Sequence, residues 1–128
     1  MDLHEPLPHD ATLDPADWTE TARLAHQMVD FAVGHMGSVR ERPVWQPMPQ
    51  EVRDRFCGPL PREPQPLEQI FAEMRSNLFP FSMGNHHPRF LSWYMGAGSF
   101  TGALADFLAA IEGSNLGGGD TAACLLDQ

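Results

Sequence analysis

The sequence predicts a mainly α-helical chain, and three observations carry that expectation. Apolar residues recur at three- and four-residue spacing in three separate windows; each window is bounded by a proline, a glycine or a capping side chain; and twelve prolines, the last of them Pro88, crowd the stretches between. With 128 residues and 42% hydrophobic content the chain can bury one modest core, so a single domain is the ceiling.

Residues 1–13 are polar and punctuated by proline, as a loose arm would be. Asp14 stands as a capping side chain before Pro15 at the first helical position, with Asp17 and Glu20 near the positive end of the helix dipole, so a helix is expected to start there. Trp18, Ala22, Ala25, Val29, Ala32 and Met36 then form one apolar stripe. Leu24, Met28 and Phe31 widen it beyond what a surface helix needs, and Gly37 is the expected stop.

Between residues 42 and 66 seven prolines leave room for one helical turn, from Gln50 to Phe56. A connection with so little structure of its own reads as a strap lying across another surface, of the same domain or of a partner. A second helix is expected from Leu67 to about Leu78, with Leu67, Ile70, Phe71, Met74 and Leu78 on one face and Pro80 ending it.

A third helix is expected from Ser99 to about Glu112, with Ala103, Leu104, Phe107, Leu108 and Ile111 at core spacing and Gly113 as its stop. Asp106, alone among them, is a candidate buried charge better explained by capping or ion pairing than by catalysis. Residues 113–128 begin with a glycine-rich loop through Gly117, Gly118 and Gly119, after which Asp120 and Thr121 cap a further helix. The chain ends about two turns into it, short of the length that buries a useful face, so the sequence reads as a fragment.

A net charge of -9 and eight arginines scattered from Arg23 to Arg89 argue against a nucleic-acid surface, which needs clustered cations. The chain contains no lysine, so no side chain of this polypeptide can act as an amine nucleophile. Cys57 and Cys124 lie far apart and outside any C-x-x-C spacing, as free thiols do, rather than a disulfide framework or a zinc ribbon. The opening MDLHEPLPHDATLDP lacks the basic and apolar regions of a leader, and no run approaches about eighteen apolar residues. A cytoplasmic chain without a membrane partner is the expectation.

The stretch Asn85–Ser99, NHHPRFLSWYMGAGS, concentrates the unusual chemistry. Gly96, Gly98 and Gly102 spell G-x-G-x-x-x-G at a helix start, but a dinucleotide site needs a buried strand before them and an acidic ribose ligand about twenty residues on. Residues 90–94 are a conceivable strand, whereas Asp120 has no second strand before it. His86 and His87 are adjacent, so on an extended chain they point apart, and no carboxylate stands at helical spacing beside them; they read as a turn pair bonding to backbone, and with His4, His9, His26 and His35 they make no metal site. Trp93 and Tyr94 are adjacent too, so one of them is expected to line a cleft or an interface. Gly96 and Gly98 would let another backbone or a ligand approach closely.

In their order, VDFAVGHMGSVRERPVWQPMPQEVRDRF, LEQIFAEM and HPRFLSWYMGAGSFTGALADFLAAIEGSNLGGGDTAA resemble the N-terminal part of the pyridoxal-phosphate-dependent group II decarboxylases, the family of aromatic-L-amino-acid decarboxylase. The resemblance covers about residues 18–128, with HPRF and GALADFLAA as its specific core. It implies a fold type I enzyme, an obligate homodimer in which the N-terminal helical segment of one subunit packs over the other, followed by a large α/β domain that carries pyridoxal 5'-phosphate. Residues 14–112 would then be the dimerisation segment, with the strap at 42–66, and residues 113–128 the start of the large domain.

By the same resemblance Trp93 and Tyr94 fall where the family places aromatics lining the substrate pocket, and Gly96 lies at a neighbouring position near the cofactor phosphate. Asn115 and Gly117 match a loop that reaches the partner subunit's active site, where the family often has larger apolar side chains, so this sequence departs from the pattern for aromatic substrates. The family's cofactor lysine, its pyridine-pairing aspartate and its ring-stacking histidine match positions beyond residue 128. The implied chain is therefore not catalytic alone and holds no cofactor covalently; its partners are the homodimer mate, the large domain and a small amino-acid substrate. Decarboxylase, aldehyde synthase and related lyases on one scaffold stay open, as does a non-catalytic helical interaction module, which the acidic, lysine-free composition and amphipathic helices would also fit.

Overall fold

A computed structural model describes residues 14–113 and Ala122, and every regular element among them is helical. Four α-helices follow one another: α1 (Trp18–Gly37), α2 (Gln50–Phe56), α3 (Leu67–Glu73) and α4 (Phe100–Glu112). The mainly α expectation holds, and residues 90–94 form no strand. Residues 1–13, including His4 and His9, and the helix proposed after Asp120, apart from Ala122, lie outside the described residues. The chain divides into two units, the described residues up to His35 with Met48–Phe81, and Met36–Pro47 with the described residues from Ser82 on.

In the first unit the start of α1 corrects the sequence reading. The backbone N–H groups of Thr19 and Glu20 donate to Asp17 Oδ1 at 2.8 and 3.1 Å, so Asp17, not Asp14, is the cap, and Pro15 precedes the helix instead of opening it. A capping oxygen must reach the second and third free N–H groups, and only the carboxylate immediately before Trp18 stands at that distance. Gly37 ends the helix as expected. The packed line of α1 is Leu24, Met28, Phe31 and His35, with Leu24 only 5% exposed, whereas Trp18 and Val29 of the expected stripe stay exposed.

The buried apolar side chains of the unit are Leu24, Val52 of α2 and Phe71 of α3. Around Phe71 the rings form a cluster: Phe31 meets Phe71 edge-on at 5.7 Å and Phe79 at 4.9 Å, and His35 meets Phe79 at 5.1 Å. The guanidinium of Arg75 lies over the Phe31 and Phe71 rings at 5.3 and 5.6 Å, a cation–π cap on the cluster.

The expected second helix is two elements. Beyond Glu73 the chain rewinds as a π-helix over Met74–Leu78 and then as a 3-10 turn over Phe79–Phe81 that contains Pro80. One inserted residue rotates the subsequent turns by about 100°. Of the expected face, Phe71 is buried while Leu67, Ile70, Met74 and Leu78 remain exposed. Arg23 of α1 donates to Glu20 at 2.8 Å and to Glu68 of α3, an exposed bridge between the two helices. The hydrogen bond it donates to Glu20, then that to Glu68, holds the Arg23 guanidinium above its ordinary pKa.

In the second unit a short 3-10 turn spans Val39–Glu41, and α4 is bounded as its sequence predicts. Gly102 N–H donates to Ser99 Oγ at 3.0 Å, and Gly113 closes the helix in the left-handed region at φ 63°, its N–H donating to Ala109 O at 3.0 Å. The apolar face of α4 is not core within this chain: Leu104, Phe107, Leu108 and Ile111 are all exposed. Asp106 is exposed as well, which corrects the buried-charge reading; a helix with no cover on its apolar side buries nothing on the others.

Candidate functional site

The segment Gly84–Ser99 is built from two consecutive β-turns and a run without regular structure. Gly84, at φ 82°, opens the first turn, closed by His87 N–H donating to Gly84 O at 2.9 Å. The second is closed by Phe90 N–H donating to His87 O at 2.9 Å, with Pro88 at the position its fixed φ favours. His87 is 4% exposed, and its Nδ1 accepts from the Arg89 N–H at 3.0 Å. His86 is exposed. Adjacent histidines thus separate as the sequence requires, one folded back onto backbone and one facing out.

From Leu91 the chain bends at Ser92 and runs without regular structure to Ser99, its large side chains outward: Leu91 is 92%, Trp93 72% and Tyr94 109% exposed. Both Trp93 and Tyr94 therefore present their rings to whatever lies beyond this chain. Neither Gly96 nor Gly98 has a positive φ. A Cβ on Gly96 would meet nothing within 4 Å, and one on Gly98 would come no closer than 3.8 Å to His86 Nε2. The chain's own packing does not demand glycine there, so any close approach comes from outside these residues.

Asn85 is the residue that sequence reasoning passed over: its Nδ2 donates to Gly96 O at 3.1 Å and ties the turns to the run that follows. No motif marks it, because the bond spans the loop and depends on how the turns aim the amide. Asn115 and Gly117 lie outside the described residues; Trp93, Tyr94 and Gly96 are neighbours along one exposed segment and, among the described residues, no pocket gathers them. Among the described residues no three His, Cys, Asp or Glu side chains converge as a metal site would require, and Cys57 is a free, exposed thiol. An open groove of about 300 Å³ in the first unit, between Pro59–Pro61 and Ile70, Met74 and Leu78, is apolar, with the Arg55–Glu73 ion pair at 3.3 Å among its lining residues; it offers no nucleophile. No helix among the described residues is long and apolar enough to cross a membrane.

No family model matches the chain. It is similar to aromatic-L-amino-acid decarboxylase of Bacillus atrophaeus, 26% identical over 92 residues, which is 71% of this chain and 19% of the relative. It is similar to tyrosine decarboxylase 2 of Narcissus pseudonarcissus, 28% identical over 100 residues, 77% of this chain and 20% of the relative. Phenylacetaldehyde synthase of Petunia hybrida is 29% identical over 99 residues, 77% of this chain and 19% of the relative. The chain thus spans about a fifth of the length of the curated relatives it matches. At this low identity the relatives support a group II decarboxylase-like relationship.

Proposed function

We propose that this chain is the N-terminal segment of a pyridoxal-phosphate-dependent amino-acid decarboxylase, a cytoplasmic fold type I homodimer, to which it contributes dimer contacts and one wall of the substrate pocket. In this reading residues 14–112, with the strap at 42–66, form the dimerisation segment, and residues 113–128 begin the cofactor domain. Its substrate is a small amino acid. The observation that carries the reading is the outward run from Leu91 to Met95, leading directly into a well-capped helix whose apolar face is also uncovered. A chain that keeps its caps and turns in order while exposing large aromatics has surfaces made for other polypeptide or for a ligand.

The residues present do not fit the cofactor by themselves. The chain has no lysine ε-amine, and the described residues gather no set of groups around Trp93 and Tyr94 that would grip a phosphate or a pyridine ring. When bound, pyridoxal phosphate supplies the electron sink for loss of carbon dioxide. This chain's part is to bind and orient: Trp93 or Tyr94 against the substrate side chain, with the Gly96 backbone beside it. Aromatic faces at that place exclude water from the substrate and hold its side chain without taking part in bond breaking.

The test is to express the complete reading frame, add pyridoxal phosphate, and measure carbon dioxide released from each of the common L-amino acids, aromatic ones included. Release of carbon dioxide with amine as product is expected; aldehyde as product would move the assignment to the aldehyde-forming activity named for the Petunia relative. No release from any amino acid overturns it. The second reading, a non-catalytic helical interaction module, draws on the same exposed face of α4. It would be favoured by a well-behaved 128-residue monomer, whereas aggregation rescued by the remaining domain would favour the decarboxylase segment.

A further inference from the structure

The run that carries Trp93 and Tyr94 is held from one side by a single side chain. Among the described residues no backbone hydrogen bond ties residues 91–98. The amide of Asn85 donates to Gly96 O at 3.1 Å, and Ser99, three residues on, is fixed as the cap of α4. Asn85 is itself placed by backbone: it occupies the second position of the turn closed between His87 N–H and Gly84 O, and the Pro88 turn comes directly after it. Next to it, His86 lies against Gly98, its Nε2 3.8 Å from where a Cβ would stand. The run is thus anchored at Gly96 by Asn85 and at Ser99 by the helix, with the aromatic pair immediately before the first anchor.

We infer that Asn85 is a positioning residue for the substrate wall formed by Trp93, Tyr94 and the Gly96 backbone, an inference that rests on the decarboxylase reading of that wall. The chemistry requires an amide. Gly96 offers a carbonyl oxygen, so the partner must donate, and a carboxylate of the same size would instead place a negative oxygen against it. Loss of the bond frees the run at Gly96 and lets both rings move off the position that a bound substrate needs. Because such a wall holds substrate and transition state alike, its loss raises KM and leaves kcat nearly unchanged.

Asn85→Asp and Asn85→Ala in the protein from the complete reading frame test this, the first isosteric and the second free of added charge. Each is expected to raise KM for an aromatic L-amino acid about three- to tenfold with kcat within about twofold. A readout independent of turnover is the fluorine-19 resonance of 5-fluorotryptophan at Trp93, assigned as the resonance that Trp93→Phe removes; both variants should move it toward the shift of the free amino acid. An unmoved resonance, or a moved resonance with KM unchanged, overturns the inference. A wild-type protein that releases no carbon dioxide overturns only the decarboxylase reading, and the resonance then still decides whether Asn85 positions Trp93.

Discussion

Gly84 and Val44 stand so close that a Cβ built on Gly84 would fall 1.7 Å from the Val44 carbonyl oxygen. Gly84 also lies at φ 82°, where a side chain is strained even in open space. Two separate costs therefore meet at one position, and Gly84→Ala is expected to destabilise the protein by about 3 kcal/mol or more, because backbone must move to relieve the overlap. Gly113 supplies the control: at φ 63° with nothing within 4 Å, Gly113→Ala should cost only about 1 kcal/mol. Urea unfolding of both variants separates overlap from conformation.

Asp17→Ala should cost about 1 kcal/mol by removing both side-chain bonds to the first turn of α1, whereas Asp17→Asn, which keeps the acceptor, should cost less than half of that. Thermal unfolding followed by helical circular dichroism measures the difference. An equal loss from the two substitutions would mean that the carboxylate acts through its charge on the helix end rather than as a cap.

Local rules settled some elements and distant contacts settled the others. Ser99, Gly102 and Gly113 state the limits of α4 in the sequence because caps and stops are decided within one turn. The choice between Asp14 and Asp17 was not legible in the same way, since Asp14-Pro15 and Asp17 both satisfy the residue preferences and only the path of the chain before Trp18 decides between them. The π-helix after Glu73 is followed by Phe79 docked on Phe31 and His35, contacts far apart in sequence that helical spacing could not announce. The need for glycine at position 84 comes from Val44, and the reach of Asn85 to Gly96 from two turns acting together. At the candidate site the residue types were legible, but not that Trp93 and Tyr94 would both face outward.

Phe71 is the ring on which the first unit closes. Its edge contact with Phe31 and the Arg75 cap make Phe71→Ala a loss of about 3 kcal/mol or more, while Arg75→Gln, which removes only the cation over the rings, should cost about 0.5–1 kcal/mol. Comparing the two by urea unfolding distinguishes core packing from its cover. A small effect at Phe71 would mean that the aromatic cluster contributes little to holding α1 and α3 together.

The exposed face of α4 gives the sharpest test of assembly. Leu104, Phe107, Leu108 and Ile111 recur at three, one and three residues, one stripe on a helix of thirteen residues with sound caps, and all four are exposed. Substitution at exposed positions usually changes stability by less than about 0.5 kcal/mol, so Phe107→Gln with Ile111→Gln should leave the helix content of this chain unaltered. Burial against a second subunit would change that accounting. Each large apolar side chain removed from water contributes about 1.5–3 kcal/mol, so the pair should weaken a homodimer by at least about a hundredfold in Kd. Sedimentation of the protein from the complete reading frame at several concentrations reads this directly. An unchanged dimer would show that the Phe107 and Ile111 side chains of α4 lie outside the homodimer interface.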